Sequence, residues 1–150
     1  MSVEEIRSLL ANVYQGSTWY GKNIQSTIND IPVGKALLRL EGSYNIAELV
    51  SHMLVWRDYV IKLLETGQNH PVPEFENFPN IEILMMDEWK DLIDQFNRSQ
   101  LRLMELLSNS EIEMTASVPS KPYRVQDVLL GIIHHDIYHA GQLNLLAKFL

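Results

Sequence analysis

The sequence lacks cysteine altogether, and this absence removes two kinds of chemistry. Disulfide bridges are excluded, and so are thiolate ligands for a metal ion. Any metal that the chain binds must therefore be held by histidine, aspartate or glutamate side chains. The absence of cysteine also fits a cytoplasmic protein, which is the location we expect.

Long hydrophobic runs and clustered positive charge are missing as well. The longest apolar stretches are short, as at residues 128–133, and the N-terminal residues show no basic segment followed by an apolar one. We therefore expect no membrane-spanning helix and no secretory signal. The 12 lysine and arginine residues are scattered in a chain of net charge −7. A nucleic-acid surface needs clustered positive charge, so we expect no nucleic-acid partner.

What the chain does have is the composition of one folded domain over residues 1–150. Hydrophobic residues make up 46% of it and charged residues 21%. A chain of this length buries about two thirds of its unfolded surface, which is enough for one core.

Four stretches place apolar residues at the three- and four-residue spacing of a helix with one buried face. They are residues 2–28, 45–67, 81–107 and 125–150. Asn45 and Glu48 have the spacing of a capping box, and Gly67 is placed to end the second helix. Gly16 and Gly21 weaken the first helix and allow a bend. We predict an all-α fold, specifically a four-helix bundle with long connections whose topology stays open.

Three histidines stand at core-facing positions of these predicted helices. His135 and His139 are four residues apart, so their side chains leave the last helix on one face, one turn apart. His52 lies between Leu49 and Trp56 around the second helix. Buried imidazoles need polar partners, and one shared metal ion would satisfy a nitrogen on each ring. A site with three protein ligands would also leave one position open for water or substrate.

Each of these residues also has a simpler explanation. A lone histidine on an apolar face is usually a hydrogen-bonded core residue, so spacing alone leaves metal binding and core packing equally open. Glu48 can be only a helix cap, Trp56 only core, and Gln142 only the partner of a buried polar group. We expect His70 to be exposed and His134 to pack or face solvent without binding metal.

The segments around the histidines together resemble the DinB-like (YfiT-like) metalloenzyme superfamily. The resemblance rests on NIAELVSHM at residues 45–53, on Trp56 after it, and on HDIYHAGQ at residues 135–142. It extends over nearly the whole chain and implies a four-helix bundle that often forms homodimers. Ala140 departs from the commoner pattern, in which a polar residue precedes the Gly-Gln pair. That departure leaves the histidines unchanged but alters what lines the pocket.

The resemblance also implies a divalent metal ion held by His52, His135 and His139. We expect zinc or nickel, because imidazole suits both. Relatives of this type include S-transferases and isomerases that use low-molecular-weight thiols. We therefore expect a small-molecule substrate, a thiol cosubstrate and a homodimer.

Three neutral imidazoles leave such an ion with its full positive charge, so it lowers the pKa of a bound water or thiol. The leading hypothesis is a thiol-dependent S-transferase that acts on a small electrophile. The alternatives are a hydrolase using metal-bound hydroxide, a non-catalytic dimeric helical module and, more weakly, a haem protein. Glu48 is the candidate general base or orienting residue. Gln142 would orient a ligand or substrate, and Trp56 and Tyr138 would form pocket walls.

Overall fold

The structure, a computed structural model, describes residues 1–108 and 111–149. Within these residues it contains seven helices and no strand. The helices are α1 (Val3–Gln15), α2 (Ile24–Asn29), α3 (Val33–Ala36), α4 (Ile46–Thr66), α5 (Glu74–Asn77), α6 (Met86–Leu106) and α7 (Val125–Phe149). One isolated antiparallel bridge joins Ser117 to Arg124. The predicted all-α fold is confirmed, and the four-helix bundle in its strict form stays a prediction.

The first predicted helix is broken in two, which corrects the expectation of one bent helix. α1 ends at Gln15 and α2 begins only at Ile24. Between them Gly21 has a φ of 144°, a backbone angle that residues with a side chain rarely adopt. The Asn23 side chain then starts α2 by accepting a hydrogen bond from a backbone N–H of its first turn. The apolar spacing continues across the break because both helices bury residues in the same core.

α4 begins and ends where the sequence predicts. The Asn45 side chain accepts a hydrogen bond from the Glu48 N–H, and the Glu48 carboxylate accepts one from the Asn45 N–H. This reciprocal pair is the predicted capping box. Gly67 ends the helix with a φ of 66°, the left-handed conformation that favours glycine.

α6 begins at Met86, five residues later than predicted, because the preceding segment is bound to the start of α4. The Ile81 N–H donates to the Glu48 carboxylate, and the Ile81 carbonyl accepts from the Asn45 side chain. These bonds satisfy the Ile81 backbone outside a helix. α7 begins at Val125 as predicted, and the predicted last residue, Leu150, lies outside the described residues.

α4 is the central helix and packs against both α6 and α7, while α1 packs against α2, α6 and α7. α4 and α7 run antiparallel. His52, near the start of α4, faces His139 in α7, while Arg57, further along α4, pairs with Asp136, which lies earlier in α7. Among the described helices, none is long and apolar enough to cross a membrane.

Candidate metal centre

The three predicted histidines meet between α4 and α7. His52 comes from α4, and His135 and His139 come from successive turns of α7. One ring nitrogen from each lies within 4.8 Å of the others. The Nε2 atoms of His52 and His135 are 2.9 Å apart. His52 and His139 are buried and His135 is partly buried, so the cluster is largely screened from water.

His52 is held in one orientation by Asn77, the last residue of α5, and by Phe78, which follows it. Its Nδ1 lies 2.6 Å from the backbone oxygen of Asn77. A carbonyl can only accept a hydrogen bond, so Nδ1 carries the proton and Nε2 keeps its lone pair. The Phe78 ring stacks flat on the imidazole at 3.8 Å, and Tyr44 stacks on the other side of Phe78 at 3.9 Å. The lone pair of His52 is thereby aimed at the other two histidines.

His139 is fixed in the same tautomer by a residue of its own helix. Its Nδ1 lies 2.5 Å from Oε1 of Gln142, so Nδ1 donates and Nε2 is left unprotonated. The amide nitrogen of Gln142 lies 3.4 Å from the Tyr138 hydroxyl, to which it donates. A hydrogen bond on the outer nitrogen of a histidine is the usual way in which proteins orient a metal ligand.

Burial keeps all three rings neutral. It is the main cause that lowers the pKa of His52, and the hydrogen bonds to Asn77 oppose it only in part. Burial likewise lowers the pKa of His139, against the Gln142 hydrogen bond. It lowers the pKa of His135 to about 3, helped by His139, His52 and the Arg57 guanidinium. The neutral imidazole is the form that binds a metal.

A divalent cation fits this cluster. The lone pairs of His52 and His139 are fixed toward a common centre, and the Nε2 of His135 lies against that of His52. Facing lone pairs repel unless a proton or a cation lies between them. Within the described residues, the buried Nδ1 of His135 has no hydrogen-bond partner. An all-imidazole donor set suits zinc or nickel.

The cluster lies at a cavity of about 830 Å³ between α4, α7 and the loops beside them. Trp56, Tyr138 and Gln142, the other predicted pocket residues, all line it. Trp56 donates from its indole nitrogen to the Asn77 side chain at 2.9 Å, so Asn77, at the end of α5, holds both His52 and Trp56. The predicted residues are thus brought together, and their roles toward a ligand stay predictions.

Glu48 lies elsewhere. Its carboxylate caps α4, accepts the Ile81 N–H at 3.1 Å and pairs with Arg39 at 3.1 Å. The side chain is buried and lines a separate, smaller cavity. The contacts of Glu48 are therefore those of a residue that caps α4. Through Ile81, Glu48 also anchors the segment that follows Asn77, and a catalytic role for Glu48 stays a prediction.

A buried ion pair that sequence reasoning missed ties α4 to α7 beside the histidines. Arg57 and Asp136 are fully buried, and the Arg57 Nε donates to the carboxylate at 2.9 Å. The same guanidinium also reaches Ser99 and Gln100 of α6. Asp136 follows His135 directly, so the pair fixes the height at which α7 presents its histidines to α4. The sequence did carry a signal for this pair, because Arg57 and Asp136 are charged residues on the apolar faces of their helices.

Asn77 and Phe78 were missed as well, and no periodic signal marks them, because they lie at the end of a four-residue helix within a long loop. His70 and His134 are exposed, as expected. The face that carries His135 and His139 was predicted to be largely buried. It lies instead at the edge of the core, where Gly131 is exposed and lines the cavity.

The neutral histidines predict how the metal-free protein responds to acid. The folded pKa of His135 is about 3 against an ordinary value of 6.5, so the unfolded chain binds more protons between these values. Stability should therefore fall as the pH falls from about 7 to about 5. Melting curves with a chelator present test this, and His135→Asn should flatten the dependence while the exposed His134→Asn keeps it. An unchanged slope in His135→Asn would contradict this explanation.

Comparison with known families agrees with this geometry. Comparisons with curated proteins and with solved structures give no match. The family model described as the DinB superfamily matches residues 20–143, which include all of α4, most of α7 and all three histidines. Because the match covers most of the chain, the protein belongs to the DinB superfamily.

Proposed function

We propose that the chain is a divalent-metal-dependent enzyme that transfers the sulfur of a small thiol to an electrophile. The observation that carries the proposal is the convergence of three neutral imidazoles at a large, mostly apolar cavity. Two of the three rings are held by hydrogen bonds in the tautomer that leaves Nε2 free. A purely structural cluster of core histidines would not need an adjoining cavity of this size.

His52, His135 and His139 would hold the ion, with zinc and nickel as the preferred metals. When bound there, the ion supplies a Lewis acid that lowers the pKa of a thiol or of water. Asn77 and Gln142 hold the rings of His52 and His139 in place while a substrate enters. The neutral imidazoles leave the positive charge of the ion uncompensated.

The cavity walls supply binding and orientation. Trp56 and Tyr138 present aromatic surface on opposite helices beside the histidines, and Tyr138 is 64% exposed, at the mouth of the cavity. Gln142 is held between His139 and the Tyr138 hydroxyl. We assign Trp56 and Tyr138 to contact with the substrate, and Gln142 to orienting His139.

The transfer itself balances without an oxidant or reductant. The thiol sulfur forms a bond to the electrophilic carbon, and the bond from that carbon to its leaving group breaks with its electron pair. The thiol proton passes to solvent at the open side of the cavity. His135 is not the acceptor of this proton, because its free ring nitrogen would be bound to the ion.

We expect turnover of an alkyl or aryl halide to require both metal and thiol. The measurement is product formation from a panel of low-molecular-weight thiols, with the protein stripped of metal and then reloaded with zinc or nickel. Activity in the stripped protein, or activity without any thiol, would contradict the proposal. Cleavage of esters or amides without a thiol would instead favour the hydrolase, and metal binding with neither activity would favour a non-catalytic module.

Glu48→Gln separates the two roles of Glu48 in the same assay. The substitution keeps the shape of the side chain but removes the negative charge that pairs with Arg39. If the rate falls further than the metal content does, the result supports the predicted role of Glu48 as a general base or orienting residue. A lower melting temperature with metal content and rate falling together supports the anchoring role that its hydrogen bonds describe.

A further inference from the structure

The cavity is much longer than the histidine cluster. Along α4 it is lined from Leu49 through His52 to Val60, and His52 and Val60 are eight residues, or about 12 Å, apart along the helix axis. Along α7, which runs the opposite way, it is lined from Gln142 back to Asp127. The cavity is therefore a groove between two antiparallel helices, with the histidines toward one end.

The walls change character along this groove. Past the histidines, the walls on both helices carry Tyr59, Val60, Val128 and Ile132, and the charged residue Asp127 lines only the far end of the α7 wall. The loop before α7 adds Tyr123 and the charged residue Lys121. Such walls favour a ligand with an apolar body over one that carries charge along its length.

Gly131 lies in the middle of this groove, one helical turn before His135 on the same face of α7. A glycine inside a helix destabilises it relative to alanine, so its presence calls for a reason. Packing does not supply one, because a Cβ at Gly131 would meet no heavy atom within 4 Å. The backbone does not require it either, since Gly131 is helical and is not among the residues with positive φ. What the missing side chain leaves is an open path from the histidines to the far part of the groove.

We infer that the electrophile is an elongated, mostly apolar molecule whose reactive end lies at the histidines and whose body passes over Gly131. Gly131 is then a residue that determines specificity for length. This inference rests on the proposed function for the reactive end, and on the groove alone for the apolar body. A side chain at 131 would begin in open space, since a Cβ there meets nothing within 4 Å, and it would extend into the groove that Gly131 lines.

The test compares Gly131→Leu with Gly141→Leu. Gly141 is an exposed glycine of the same helix, a Cβ there would also meet nothing within 4 Å, and it does not line the cavity. The probes are acetohydroxamate, whose head group binds metal ions, and 6-phenylhexanohydroxamate, which adds a long apolar tail. Their affinities for the zinc-loaded proteins are measured by titration calorimetry.

We expect the long probe to bind the unmodified protein at least about tenfold more tightly than the short one, since each buried methylene contributes roughly fourfold. Gly131→Leu should remove this advantage and leave acetohydroxamate binding unchanged, while Gly141→Leu keeps both. Equal binding of the two probes, or an advantage that survives in Gly131→Leu, would overturn the inference.

A metal-free arm keeps this inference separate from the proposed function. 6-Phenylhexan-1-ol carries the same tail without the metal-binding head, and its binding to the metal-free protein is followed by titration in nuclear magnetic resonance spectra. We expect saturable binding that is lost in Gly131→Leu and retained in Gly141→Leu. If the alcohol does not bind the metal-free protein, the assignment of the groove to an apolar body is overturned. If the alcohol binds but neither hydroxamate does, the result supports the groove and contradicts the metal site.

Discussion

Replacing His139 with alanine is expected to abolish stoichiometric metal binding while leaving the helical content of the protein nearly unchanged. The substitution removes one of the three nitrogens that converge between α4 and α7. The fold does not depend on that nitrogen, because α7 is held by its own buried apolar residues and by the Arg57–Asp136 pair. Metal analysis and circular dichroism of the purified variant measure the two effects.

Leu143→Ala is the matched control on the same helix. Leu143 is one turn beyond His139 and fully buried, so its truncation should cost about 2–5 kcal/mol of stability. It should leave the metal content near normal for as long as the protein is folded. If His139→Ala were instead unfolded at room temperature, the ion would be a structural element and the catalytic proposal would fail.

Asp136→Ala is expected to destabilise the protein by about 3–5 kcal/mol, among the largest effects of any single substitution in the chain. The large cost arises because Arg57 would be left buried without its charged partner. Arg57 is 0% exposed, and without the carboxylate its guanidinium would keep only the neutral side chains of Ser99 and Gln100 and the faces of two aromatic rings. Urea unfolding, followed by circular dichroism, measures the loss.

Two further variants test that explanation. Replacing both partners with apolar residues, as in Arg57→Met with Asp136→Leu, should recover much of the lost stability, because no unpaired charge remains. Glu65→Ala, which breaks the exposed pair with Arg102, should leave stability close to that of the unmodified protein. An Asp136→Ala variant as stable as the Glu65→Ala variant would show that the buried pair does not hold α4 and α7 together.

The parts of the structure that the sequence predicted are those fixed by local chemistry. The start and end of α4 follow from Asn45, Glu48 and Gly67, which act on backbone groups within one turn. The proximity of His135 and His139 follows from the helical period. His52 was placed on the correct face of α4 by the same period, and helix packing then brought it to the other two.

The parts that were not predicted depend on contacts between distant segments. The apolar spacing over the first 28 residues does not reveal that the helix stops at Gln15, because α2 continues the same pattern from a new start. The orientation of His52 is set by Asn77 and Phe78, 25 and 26 residues later, and no periodic pattern links them. The pairing of Arg57 with Asp136 likewise requires the helices to be packed. The homodimer and the cytoplasmic location stay predictions.

The central claim is that His52, His135 and His139 bind one divalent ion together. X-ray absorption spectroscopy of the zinc-loaded protein, with metal analysis of the same sample, tests it most directly. We predict roughly one zinc per chain, with three imidazole nitrogens at about 2.0–2.1 Å and one further light-atom ligand. A zinc environment without histidine scattering, or no stoichiometric zinc after loading at neutral pH, would contradict the claim.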